Sequence, residues 1–133
     1  SGHMFFADRY FGFDDAVYAS CRLLEIVGKT GKKVSELLEG IPQTYVTPEI
    51  RMECPDDIKF RIVEQATEYF RQEYEVIDVD GMRIVFPDGW GLVRASNTQP
   101  ALVLRFEALS EERLEAIRGM IEAKVKELME GVR

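Results

Sequence analysis

The chain has 133 residues, 46% of them hydrophobic and 31% charged, with a formal net charge of −7. That length and composition support a folded domain with its own core and exclude a disordered or fibrous chain. The negative balance argues against a general nucleic-acid or anionic-membrane surface, yet leaves room for a local cationic pocket. No apolar run is long enough to span a bilayer and nothing resembles a secretory signal. Cys21 and Cys54 have neither metal-ligand nor redox spacing, so reduced thiols in a cytoplasmic protein are expected.

In chain order, Phe5 and Phe6 read as a short strand, followed by a turn over Asp8 to Gly12. Asp14 suits a helix N-cap. The helix expected from Asp15 to Val27 puts Val17, Cys21 and Leu24 on one face, with Tyr18, Leu23 and Ile26 adding apolar surface elsewhere. A helix apolar on more than one side belongs inside a larger domain. After a break at Gly28 to Gly31, the spacing of Val34, Leu37, Leu38 and Ile41 predicts a second, short helix. Gly40 to Gln43 reads as a linker, separating residues 1–40, a strand-helix-helix fragment of a larger domain, from a second domain at residues 41–133.

From Thr44 the pattern changes. Ile50, Met52 and Cys54 alternate with charged residues, as in a half-buried strand. Pro55-Asp56-Asp57 opens a helix whose buried face is expected to hold Phe60, Val63, Thr67 and Phe70. Strands over Val76 to Val79 and Met82 to Phe86 flank Asp80-Gly81, a hairpin signal. The acids at 78 and 80 invite comparison with a calcium loop but lack its later ligands, so they read as a turn. Trp90 to Arg94 and Ala101 to Glu107 are two further strands. Arg105 reads as the structural partner of a carboxylate. Ser110 caps a last helix with the core stripe Leu114, Ile117, Ile121, Val125 and Leu128. The order predicts an α+β fold, one antiparallel sheet with two helices on one face.

The segment Arg94-Ala95-Ser96-Asn97-Thr98-Gln99-Pro100 joins the last two strands. Ser, Asn and Thr are ordinary turn formers. The same residues would also suit an anion: Arg94 offers a rigid fork of donors, Ser96 and Thr98 hydroxyls, and Asn97 an amide. Successive backbone N–H groups of a tight turn can add an anion nest. Turn and anion site are both open on the residues alone.

Gly89 to Ala108, with the run Arg-x-Ser-Asn-Thr-x-Pro at Arg94, Ser96, Asn97, Thr98 and Pro100, resembles the phosphate-binding loop of the α-D-phosphohexomutases, in their bacterial phosphomannomutase/phosphoglucomutase branch. Asn97 separates it from the phosphoglucosamine branch, where glycine is usual. The resemblance implies that residues 41–133 are the family's fourth domain, whose fold is related to the TATA-binding protein, a kinship without implication for DNA. It implies that residues 1–40, as a strand-helix-helix fragment of an α/β domain, end the third domain. Ser1-Gly2-His3 then has two readings, a cloning remnant or the end of the sugar-specificity loop. On the second, Ser1 would bind a sugar hydroxyl and His3 would shuttle a proton near the reacting phosphate.

The implied parent enzyme moves a phosphoryl group between C1 and C6 of a hexose, through a phosphoserine and a bisphosphorylated sugar. It uses Mg2+ held by a domain absent from this chain. The implied partners are a hexose phosphate and the remaining domains of the enzyme, with neither nucleic acid nor membrane, and the 133 residues alone are expected to be inactive. Two rivals come from other classes: a stand-alone anion-binding module, and an interaction domain using Phe5, Phe6, Tyr10, Phe11 and Phe13. Those aromatics are expected to be exposed and to drive self-association.

Overall fold

The computed structural model describes residues 2–132, and the chain forms two compact units, Ser1–Ile41 and Pro42–Arg133.

In the first unit, helix α1 covers Ala16–Thr30. Its cap is Asp15, one residue after the expected Asp14: the carboxylate accepts the Tyr18 N–H at 2.9 Å, satisfying a donor that the first turn cannot. Gly31 ends the helix at φ 65°, a left-handed geometry that costs glycine little, and donates its N–H to the Val27 carbonyl. Only a single antiparallel bridge, Phe5 to Asp14, stands where a strand was expected. One residue pair makes no ladder, and Phe6 finds an arginine instead, with Arg22 4.8 Å from its ring centroid. The second expected helix is a 3-10 helix, Val34–Leu38, since so short a segment cannot offset the cost of nucleating an α-helix. Tyr10 stacks on Tyr18 at 4.0 Å. Val17 and Leu24, on the face expected to be apolar and buried, are exposed, as are Phe5, Phe11 and Phe13.

The second unit contains strands β1 (Tyr45–Val46) and β2 (Ile50–Glu53), helix α2 (Lys59–Arg71), strands β3 (Glu75–Ile77), β4 (Met82–Phe86), β5 (Gly89–Ala95) and β6 (Ala101–Ala108), and helix α3 (Glu111–Gly131). The sheet is antiparallel throughout, in the order β1-β6-β5-β4-β3, with β2 also paired to β6. The short β1 was not expected from the sequence. Thr47 separates it from β2: its N–H donates to the Phe106 carbonyl at 3.0 Å, and its Oγ1 accepts the Phe106 N–H at 3.1 Å. A side chain thus completes the ladder next to Pro48, which has no N–H to give.

Alternation along the strands sends Met82, Ile84, Val93, Leu102, Leu104 and Phe106 to one face, all of them fully buried. They pack with Ile62, Ala66 and Phe70 of α2 and with Leu114, Ile117, Ile121 and Val125 of α3. Each such side chain contributes on the order of 1.5–3 kcal/mol by leaving water. The α+β architecture, with its helices against one sheet face, is therefore the one read from the sequence, and the α3 stripe lies where its spacing put it. Val63, Thr67 and Phe70 of the face expected on α2 are buried; only its first residue departs from expectation. Phe60 is 58% exposed while Lys59 is 4% exposed, because the stripe that meets the sheet runs Ile62, Ala66, Phe70.

The β3–β4 connection is also longer than the two-residue turn expected. Ile77 pairs with Arg83, Asp78 is drawn to Arg71 at 2.6 Å, and Val79 is 92% exposed. With β3 ended by that ion pair, four residues rather than two turn the chain, at Gly81 with φ 88°.

Candidate functional site

β5 and β6 deliver the Arg94–Pro100 segment. Because Val93 and Ala95 point into the core, Arg94 must project from the opposite sheet face, where it is registered against Val103. Both helices of this unit, α2 and α3, pack against the other face. Arg83 stacks there over Trp90, at 4.4 Å from the ring centroid. Arg105 is exposed and forms no ion pair among the described residues, which corrects the reading of it as a structural partner to a carboxylate: its registered neighbour on β5 is the apolar Leu92.

The Arg94 side chain is 36% exposed, and its nearest acid, Asp80, lies 3.8 Å away. That separation is too long for a hydrogen bond, so the guanidinium donors are uncommitted among the described residues.

Ser96 is 8% exposed. Its Oγ accepts the N–H groups of Thr98 at 3.4 Å and Gln99 at 3.1 Å, a side-chain-stabilised turn. The expectation of a backbone anion nest is corrected by these two bonds. Two of the N–H groups that would have lined a nest are turned inward onto Ser96, and no residue of the loop has positive φ. Ser96 keeps one hydroxyl proton to donate. Asn97 and Thr98 are exposed, and the Asn97 N–H, its carboxamide and the Thr98 hydroxyl donate to nothing among the described residues.

The back of the loop is fastened. The Ser96 N–H donates to the Ala101 carbonyl at 2.9 Å and the Cys54 N–H to the Pro100 carbonyl at 3.0 Å. Lys59 Nζ donates to the Gln99 carbonyl at 3.0 Å and to Asp56 Oδ1 at 2.6 Å. The Arg51 guanidinium donates to Gln99 Oε1. Sequence reasoning missed Lys59. The signal was present: Lys59 stands at i, i+3, i+7 and i+11 with Ile62, Ala66 and Phe70, on the buried stripe.

An apolar groove lined by Met52, Cys54, Ile58 and Met129 reaches Pro100 from the helix side of the sheet. Arg94 is on the other side, so the groove and the Arg94 guanidinium do not share a space. Burial pushes the Cys54 thiol up, an inert core cysteine rather than a nucleophile.

His3 belongs to the first unit, where its Nε2 lies 3.4 Å from Asp14 Oδ2. Ser1 lies outside the described residues. Among the described residues no three His, Cys, Asp or Glu side chains converge to hold a metal ion. Asp78 and Asp80 face Arg71 and Arg94, so among the described residues none fits the magnesium that the resemblance implies. No helix is long and apolar enough to cross a membrane.

Comparison with known proteins supplies the family. Residues 49–124 match the phosphoglucomutase/phosphomannomutase C-terminal domain, and residues 1–45 match alpha/beta/alpha domain III of the same proteins. The chain belongs to the phosphoglucomutase/phosphomannomutase family. It is 46% identical over 130 residues to a phosphomannomutase/phosphoglucomutase of Pseudomonas syringae pv. tomato, covering 96% of this chain and 28% of that protein. It is 44% identical over 129 residues to a phosphoglucomutase of Neisseria gonorrhoeae, covering 95% of this chain and 28% of that protein. The crystal structure of a phosphoglucomutase/phosphomannomutase family protein from Burkholderia thailandensis superposes with a TM-score of 0.76 at 38% identity, over 96% of this chain and 27% of that one. The chain thus spans less than a third of the length of these relatives and corresponds to the C-terminal region of the phosphoglucomutase/phosphomannomutase fold.

Proposed function

We propose that residues 41–133 are the phosphate-gripping domain of a phosphohexomutase, an enzyme that interconverts hexose 1-phosphate and hexose 6-phosphate through a phosphoserine and a bisphosphorylated sugar. Residues 1–40 then come from the domain that reads the sugar. One observation carries the reading: Arg94 is partly exposed on the sheet face opposite α2 and α3, with donors bound to no acceptor among the described residues, and it leads into a loop whose Asn97 and Thr98 side-chain donors are likewise open.

A guanidinium matches two phosphate oxygens at once and stays charged at any working pH. Thr98, Asn97 and the Ser96 hydroxyl proton supply neutral donors for the remaining lone pairs. Such a loop recognises a dianion and ignores the sugar that carries it. It would therefore hold the non-reacting phosphate whichever end of the hexose is presented, as a bisphosphorylated intermediate that reverses its orientation requires. Binding energy gained at that remote phosphate orients the reacting end.

In the same scheme Ser1 contacts a sugar hydroxyl and His3 moves a proton near the reacting phosphate. The match to domain III includes residues 1–45, which supports reading Ser1-Gly2-His3 as native. The magnesium ion would supply charge stabilisation at the transferring phosphoryl group. This chain contributes no ligand to it and no nucleophilic serine, so the 133 residues alone are expected to be inactive and to bind phosphosugars at about millimolar strength or weaker.

The test is Arg94→Ala in the full-length enzyme. Loss of a charged clamp should lower kcat/KM about 100-fold. An unchanged kcat/KM would remove Arg94 from the site.

A further inference from the structure

We infer that Lys59 is a positioning residue for the anion loop, a buried ammonium that locks Gln99 from behind and so presents Asn97 and Thr98 outward. The inference deepens the phosphate reading above and rests on it.

The Lys59 side chain is 6% exposed, and burying an ammonium is costly unless something is gained by it. An apolar residue would fill the same place on the α2 stripe without that cost. What the ammonium gains is the loop. Its Nζ donates to the Gln99 carbonyl, 40 positions away in sequence, at 3.0 Å. The same carbonyl accepts the Ala101 N–H at 2.8 Å. The Gln99 N–H donates to Ser96 Oγ at 3.1 Å, and the Gln99 side chain accepts from Arg51. All three polar parts of Gln99 used here are thus occupied, while the two residues before it keep their side-chain donors free. The back of the loop is rigid and its front is open, as a pre-organised binding loop requires.

Charge adds to geometry. Among the described residues Lys59 has one carboxylate partner, Asp56 at 2.6 Å, and that side chain is 71% exposed. Solvent screens the acid, whereas the ammonium lies in a poorly screened interior. A lysine that served the fold alone would stabilise the domain without responding to a ligand.

The experiment is a titration of the 133-residue chain with glucose 1-phosphate, followed through the backbone amides of Asn97 and Thr98, on the wild type, Lys59→Met and Arg94→Ala. Lys59→Met is expected to raise the dissociation constant about tenfold, with the amides of β6 and α3 at their wild-type positions. In the wild-type chain, the Lys59 Nζ resonance is expected to move as phosphate saturates the loop, while that of the exposed Lys126 does not. An unchanged dissociation constant in folded Lys59→Met, or a Lys59 resonance that ignores phosphate in the wild type, overturns the inference. If Lys59→Met does not fold, the wild-type resonance alone decides. A wild type that shows no response at Asn97 and Thr98, or an Arg94→Ala that binds as well as wild type, overturns the phosphate reading itself, so the two failures are told apart.

Discussion

Gly81 faces Arg94 across the β4–β5 pair so closely that a methyl group on Gly81 would lie 2.6 Å from the Arg94 Cβ and 2.5 Å from the Val93 carbonyl oxygen. The backbone at Gly81 also has φ 88°, a conformation that L side chains rarely adopt. The β3–β4 turn is therefore packed directly against the start of the Arg94–Pro100 segment. Gly81→Ala should destabilise the domain by about 1–3 kcal/mol and, unlike a defect deep in the core, should also displace Arg94. Thermal unfolding together with a phosphosugar titration checks this: both stability and affinity should fall. Lost stability with intact affinity would show that Arg94 tolerates the shift.

Asp80 sets the resting state of the same arginine. It is 76% exposed and 3.8 Å from the guanidinium, near enough to compete electrostatically with an incoming dianion. Asp80→Asn is expected to tighten phosphate binding about twofold at low salt, and the gain should vanish as ionic strength rises. Titrations at two salt concentrations measure it. Equal or weaker binding at low salt would mean that Asp80 does not oppose the ligand.

The core depends on a second glycine for a different reason. A side chain at Gly91 would meet the Ile121 Cδ1 methyl and come within 3.1 Å of the Phe106 ring, which is how α3 lies so near β5. Gly91→Ala should cost about 1–3 kcal/mol by over-packing, read as a lower urea midpoint. The phosphate affinity of the folded fraction should be unchanged, since the α3 side of the sheet carries none of the proposed ligands.

In the first unit, Glu25 accepts hydrogen bonds from Arg9 and Lys29, and these, Arg9 foremost, lower its carboxyl from 4.5 to about 2. The folded form then binds fewer protons than the unfolded form. Its contribution is fully present above pH 4.5 and is lost as pH falls through about 2. The Glu25 carboxyl carbon should accordingly titrate well below the ordinary glutamate range in NMR, and Glu25→Gln should flatten the acid limb of unfolding in that window. A midpoint near 4.5 would place the Arg9 contact outside the solution ensemble.

The features legible in the sequence are those whose cause is local. Strand alternation at Leu102, Leu104 and Phe106, the stripe of α3 and the Ser110 cap need only neighbours within a few residues, and each is found in place. The turn chemistry of Ser96 is local as well. Features set by distant partners were not legible. Phe60 faces solvent because the sheet meets a stripe of α2 turned away from it. Thr47 splits the first strand because its hydroxyl reaches Phe106. Helical spacing places Lys59 on the buried stripe, but its partner there, the Gln99 carbonyl, is one that no helical period contains. Ser96 reads from sequence as a donor to an anion, whereas its oxygen first serves the turn. Only the folded loop shows which of its polar groups remain open.

The most direct test of the phosphate reading is a titration of the 133-residue chain with glucose 1-phosphate, observing the Arg94 guanidinium and the amides of Asn97 and Thr98 by NMR. These signals should move together along one binding curve, at about millimolar concentration or above, and Arg94→Ala should abolish the response at Asn97 and Thr98. Shifts confined to the aromatic segment around Phe5, Phe11 and Phe13, with the loop signals still, would contradict the assignment of this loop as the phosphate grip.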